Sequence, residues 1–189
     1  LQQNLPRRQF LQRSGMGLIA STALFHKLSA AAPAPSLPNI SMQLYTVRDQ
    51  IKNDIAGTLK RIKEMGFTYV ETAFWPAGIT LQQAAGHIKD AGLLVSSCHI
   101  ELPIGDNKTK FLETAKAFNC TNMIWHGWPE DKRYSTSDGT KELIGIYNQA
   151  NQFAKANGLQ FGLHNHWWEF RNKVGDGYVY EMLLAGLEP

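Results

Sequence analysis

The 189-residue chain has only two cysteines, Cys98 and Cys120, too few for a scaffold stapled by disulfides. It has no GxGxxG and no GxxxxGKS/T segment, so the glycine-rich loops that cradle nucleotide phosphates are missing and nucleotide cofactors are not expected. A GxSxG turn is missing too, which counts against an ordinary serine esterase. No apolar run reaches the ~20 residues that span a bilayer, so no stable membrane anchor is expected. Acidic residues are absent from residues 1–32, where Arg7, Arg8, Arg13 and Lys27 stand. Those four charges exceed the whole net charge of +3, so the remaining body carries one net negative charge. With no basic cluster after residue 32, nucleic acid is not an expected partner. What remains is 43% hydrophobic and 19% charged, the balance of one globular domain with a buried core.

The first segment has the order of a targeting peptide. Arg7 and Arg8 precede a short apolar stretch from Gly15 to Phe25, then Ala30, Ala31 and Ala32 offer a small-residue cleavage site. Arg7-Arg8-Gln9-Phe10-Leu11 resembles the twin-arginine signal, which implies bacterial export of a folded protein. The division is therefore an export signal at 1–32, a proline-rich linker at 33–39 and a body at 40–189, with a periplasmic location.

The body alternates strands and helices. Residues 40–45, 67–72, 93–98, 122–125 and 159–163 are short apolar or β-branched runs. Between and after them, residues 51–65, 81–91, 111–118, 142–156 and 178–184 carry apolar side chains at helical spacing. Gly66, Gly92, Asn119 and Gly158 each follow a lysine by three residues and mark helix stops. The pattern predicts an α/β fold with a parallel sheet, either doubly wound or a (β/α)8 barrel. On this reading Cys98 ends one strand and Cys120 precedes the next, at opposite ends of the sheet and ~15 Å apart, so two free thiols are expected.

Polar residues stand at the end of every strand: Tyr45, Glu71, His99, His126, and His164 with His166. In parallel α/β folds these ends share one rim, which is where sites are built. Of the five histidines in the body, only His87 lies elsewhere. Histidine serves as metal ligand, as general base near neutral pH, or as a hydrogen-bonded core residue. Alternation along an extended chain points His164 and His166 to the same side, where they could flank one ligand. Trp167, Trp168 and Phe170 either stack on a sugar ring or cover the mouth of the fold. Gly127, beside His126 and Trp128, lets a ligand approach the backbone. Glu71 either binds hydroxyls or orients a histidine, Glu169 is either a ligand or a surface acid, and Glu101 reads as a solvated loop acid.

Three segments carry a resemblance: Leu44-Tyr45-Thr46-Val47-Arg48-Asp49, Gly66-Phe67-Thr68-Tyr69-Val70-Glu71, and the run from Gly162 to Phe170 containing His164-Asn165-His166. Together they resemble the sugar phosphate isomerase/epimerase family, the xylose-isomerase-like TIM barrels, from about residue 40 onward. The resemblance implies a barrel with a divalent metal (Mn, Mg, Zn or Co) at its C-terminal rim and a small carbohydrate as substrate. It implies proton transfer next to a keto-sugar carbonyl, with His164 as metal ligand and His166 as catalytic base; the rim positions themselves add Glu71 as a second catalytic candidate and His99, His126, Trp167 and Trp168 as candidate substrate contacts. Where the family commonly has a carboxylate ligand, this chain has His164. Two other outcomes stay open: lysis or hydrolysis of 3-keto-glycosides by the same enolate chemistry, and sugar binding without catalysis. Only five βα units fit in the chain and the family's other ligands come from strands six to eight. Further strands or a second copy are thus expected to complete the barrel.

Overall fold

Strand β1 (Ser41–Gln43) enters a 3-10 turn at Leu44–Val47, followed by helices α1 (Arg48–Asn53) and α2 (Ile55–Glu64). Then come β2 (Tyr69–Thr72), α3 (Leu81–Asp90), β3 (Leu94–Ile100), α4 (Asn107–Phe118) and β4 (Asn122–Trp125). A 3-10 turn at Lys132–Ser135 leads into the long helix α5 (Ser137–Ala156), and β5 (Gln160–Leu163) closes the sheet. Beyond it lie α6 (Trp167–Arg171), a hairpin of β6 (Lys173–Val174) and β7 (Gly177–Tyr178), and α7 (Val179–Gly186). This computed structural model describes residues 39–127 and 130–189; the expected export signal, most of the linker, and Trp128 lie outside the described residues.

All four pairings in the main sheet are parallel, and the strands lie in chain order, β1-β2-β3-β4-β5. That order decides between the two architectures left open by the sequence. A doubly wound sheet reverses direction at a switch point, whereas strands laid down one after another are the winding of a barrel. Among the described residues β1 pairs only with β2 and β5 only with β4, so five strands form an arc of the barrel rather than a closed ring.

Period-two alternation sorts the strand residues between two faces. Val70 and Thr72, Cys98 and Ile100, and Met123 and Trp125 are buried under the helices with Leu59, Ile62, Ile88, Leu143 and Tyr147. The other face carries Gln43, Glu71, Ser97, His99 and Ile124, and register aligns Gln43 with Glu71, Glu71 with Ser97, and His99 with Ile124. Polar side chains on an inner strand face need partners from neighbouring strands, and they find them there. Ser41 and Ser96 share a 2.7 Å hydrogen bond, and Asn122 Nδ2 donates to the Ser96 carbonyl at 2.9 Å.

The four expected helix stops hold: Gly66, Gly92, Gly158 and Asn119 all have positive φ. Other boundaries move for local reasons. The helix expected over residues 51–65 is split at Asp54, which adopts an extended conformation and accepts a hydrogen bond from the Gly57 amide at 2.9 Å, as an N-cap does. Strand β3 runs on to Ile100 because β4 pairs with it there, so His99 belongs to the strand. Tyr45 lies in the turn after β1, and Gln43 takes the strand end. Helix α5 begins at Ser137, where Thr136 caps the Gly139 amide at 3.1 Å.

Both cysteines are free, as expected, but not for the expected reason. Register sets Cys98 level with Met123 at the start of β4, so the stagger between the strands brings the Cys98 thiol close to that of Cys120 instead of ~15 Å away. Contact with Cys120, then burial, pushes the Cys98 thiol up. Cys120 Sγ also donates to the Asn122 carbonyl at 3.6 Å. Among the described residues no helix is long and apolar enough to cross a membrane.

Candidate functional site

The rim begins with a carboxylate. Glu71, on the inner face of β2, accepts hydrogen bonds from Gln43 Nε2 and from Ser97 Oγ, and His99 Nε2 stands 3.1 Å from its Oε1. Burial acts to raise its pKa, but the contacts from His99, Ser97 and Gln43 outweigh it and hold Glu71 below the usual carboxylate range. Gln43 also lies 3.2 Å from His99 Nε2. Four side chains from three adjacent strands therefore lock one another in place. Gln43 and Ser97 were not singled out from the sequence. The signal for Gln43 was hidden because residues 40–45 read as one unbroken strand.

From His99 the rings continue across the sheet. His99 and His164 meet edge to face with centroids 5.2 Å apart, and His164 and His166 meet likewise at 4.8 Å. His166 then stacks on Trp168 at 4.1 Å with only 10° between the planes. Burial first, then the neighbouring imidazoles of His99 and His166, lowers the pKa of His164 and favours its neutral form.

His126 enters from β4. Its Nδ1 lies 3.0 Å from the Gly127 carbonyl, and its Nε2 is 3.1 Å from Glu101 Oε1 without a hydrogen bond between them. Phe74 sits edge-on to His126 at 5.2 Å and Tyr45 edge-on to Phe74 at 6.3 Å. Arg48 lies over the Tyr45 ring at 4.4 Å. These residues form an aromatic lip, with Tyr45 and Phe74 exposed. A cavity of about 440 Å³ opens beside it, with His99, Glu101, His126 and Phe74 in its wall.

The expected site residues thus gather on one rim, with His87 left on α3. Trp168 is taken up by the His166 stack, while Trp167 is exposed and carries Arg171 over its ring at 4.1 Å. Glu169, for which a surface position was one of the two readings, is 2% exposed, which overturns that reading. It is the third residue of α6 and accepts the His166 amide at 2.8 Å, the pairing of a capping box. The helix is five residues long, too short to show a period, but an acid three residues after its first flanking position was the available signal. Gly127 is positioned as tightly: its φ is +87°, and a Cβ there would stand 2.4 Å from His166 Cε1.

Among the described residues no three His, Cys, Asp or Glu side chains form a group able to hold a metal ion. His164, flanked by two imidazoles that favour its neutral form, has a suitable donor atom, but the described residues around it do not complete a metal shell.

No family model matches the sequence, and no curated protein matches it. Solved structures do. The chain is similar to a sugar phosphate isomerase/epimerase from Parabacteroides distasonis, at 22% identity and TM-score 0.63, over 85% of this chain and 66% of that one. It is also similar to a xylose isomerase-like TIM barrel protein from Mycobacterium smegmatis in complex with magnesium, at 14% identity and TM-score 0.51, over 78% and 60%. The chain spans less than two thirds of the length of either. With the sequential parallel sheet, this likeness establishes the fold as the TIM-barrel type, of which the chain supplies five strand-helix units.

Proposed function

We propose that this rim binds a keto sugar and moves a proton next to its carbonyl, giving isomerisation or epimerisation. The observation that carries the reading is the placement of His166. Its ring is fixed by the Trp168 stack and the Gly127 cradle, and it reaches the rim beside His164 and His99. A general base must be held where the proton is, and a neutral imidazole is suited to take it near pH 7. In this reading His166 removes the proton from the carbon beside the carbonyl, the electron pair moves onto the carbonyl oxygen, and the proton returns to the neighbouring carbon or to the opposite face. His126 holds sugar hydroxyls, Trp167 offers a face for the ring, and His99, engaged with Glu71 and Gln43, lines the wall beside them.

Glu71 is better placed to orient than to react. Its three donors keep it ionised and lower its basicity, which suits it to fixing His99. A divalent metal, Mn, Mg, Zn or Co, would supply Lewis-acid polarisation of the carbonyl, with His164 as one ligand, but the described residues do not complete its shell.

The test is proton exchange at the sugar carbon in deuterated buffer, with 3-keto-glucosides and free ketoses side by side. Exchange without elimination supports the isomerase reading; release of the glycosidic group supports the lyase or hydrolase alternative. No exchange with retained sugar binding identifies a binding barrel and overturns the proposal. The proposed periplasmic location has its own check: mass spectrometry of the periplasmic protein should show residues 1 to about 32 removed. Completion of the barrel by further strands or a second copy predicts that these 189 residues alone bind metal weakly and associate through the sheet edges, as size-exclusion chromatography would show.

A further inference from the structure

Glu169 has the surroundings of a working part. Its side chain is 3% exposed, yet its hydrogen bond and its ion-pair contact both go to one residue. Oε2 accepts the backbone amide of His166 at 2.8 Å, and Oε1 lies 3.6 Å from His166 Nδ1. The hydroxyls of Tyr134 and Tyr147 stand near enough to feel its charge, but their hydrogen bond at 2.6 Å is to each other and neither bonds the carboxylate. A carboxylate taken out of water needs donors, and one of these two oxygens lacks a close one. Facing it is the mirror image of that need: His166 Nδ1 is buried and has no hydrogen-bond partner. A proton on Nδ1, with a small closure of the gap, satisfies both.

The rest of the ring's surroundings leave it little freedom to do anything else. Trp168 covers one face at 4.1 Å, and Gly127 lies against the edge that includes Cε1 and Nδ1, where a methyl group would come within 2.9 Å of Nδ1. The ring therefore cannot swing its Nδ1 edge out to solvent without leaving the stack. In a neutral imidazole one nitrogen carries the proton and the other the lone pair, so fixing the first also fixes the second.

We infer that Glu169 is the positioning residue of His166: it holds the proton on Nδ1, which leaves the lone pair on Nε2 and makes the histidine a base rather than a donor. The inference rests on the reading of His166 as the base at the rim, and it assigns to α6 the task of setting the histidine's tautomer. Glu169 touches no substrate in this account and acts only through His166.

Glu169→Gln separates this role from helix capping. The amide oxygen can still accept the His166 N–H, while the amide nitrogen presents a donor to Nδ1 and so transfers the lone pair there. Two-dimensional 1H–15N NMR of the imidazoles in the full chain reads the tautomer directly. The expected result is an Nδ1-protonated His166 in the wild type and an Nε2-protonated His166 in E169Q. Proton exchange into a 3-keto-glucoside should fall by about 10- to 100-fold in E169Q, with KM changed by less than about twofold. A purely structural Glu169 would leave the tautomer unmoved. The wild-type spectrum needs no variant, so the test survives if E169Q fails to fold: an Nε2-protonated His166 in the wild type overturns the inference. So does a tautomer that is the same in both proteins. If the tautomer switches as expected but no sugar exchanges a proton in either protein, the inference stands and the enolisation reading fails.

Discussion

Glu71, half-buried, and Glu169, buried, are two carboxylates on the same rim, and they are served differently. Glu71, on the β1–β3 side, receives Gln43, Ser97 and His99. Glu169, on the β4–β5 side, receives one backbone amide, and nearby His126 Nε2, His166 Nδ1 and Trp168 Nε1 are buried without hydrogen-bond partners. A saturated network is rigid and has nothing left to offer a ligand, whereas unmet donors and acceptors gain most when something docks. The first half of the rim is therefore scaffold and the second half is the working surface. The difference also fits the chain's construction, since the first network lies within the paired strands β1 to β3 while the second stands on the segments that follow β4 and β5.

The largest effect should come from the working side. His166→Ala removes the proposed base and should lower sugar proton exchange by about 10²- to 10⁴-fold. In a protein carrying the completed barrel, metal content should stay nearly unchanged, whereas His164→Ala should reduce it as well, by elemental analysis after loading with Mn or Zn. Equal loss of metal in both variants would merge the two roles. Gly127→Ala comes next: a side chain at φ +87° costs on the order of 1–3 kcal/mol, and the ring of His166 stands in its way. Urea unfolding should show that loss together with a fall in turnover, since the cradle and the catalytic ring are one contact.

On the scaffold side the expected losses concern stability more than rate. The pKa of Glu71 is lower in the folded chain than its usual 4.5, so its contribution is fully present above that pH and disappears as acid protonates the folded form. Glu71→Gln should therefore flatten the pH dependence of unfolding below about pH 4.5 while leaving the region near neutrality with the same slope. The smallest effect belongs to the buried tyrosine pair behind Glu169. Tyr134, whose hydroxyl is pushed up to about 12 by burial, shares a 2.6 Å hydrogen bond with Tyr147. Tyr134→Phe leaves the other hydroxyl unpaired and should cost about 1 kcal/mol in the same unfolding assay.

The fold was readable because its punctuation is local. Gly66, Gly92, Asn119 and Gly158 set the helix ends by their own backbone conformation, and a five-fold alternation follows from them. The gathering of His99, His126, His164 and His166 was readable for a related reason: parallel strands put their ends on one rim whatever the details of packing. The rest depended on what the chain meets in space. Cys98 and Cys120 are brought together by the stagger between β3 and β4, which no spacing along the chain reveals. Asp54 interrupts a helical pattern that is apolar on both sides of it. Glu169 is buried in the neighbourhood of Tyr134 and Tyr147, residues distant from it along the chain, so its sequence neighbours alone do not reveal its burial.

The most direct measurement of the division between scaffold and working surface is NMR of the histidine rings while a 3-keto-glucoside is titrated into the full chain. The account predicts that the imidazole signals of His126 and His166 move with the sugar, that His99 moves far less, and that His87 on α3 stays where it is. Shifts confined to His99, with His126 and His166 unmoved, would contradict it.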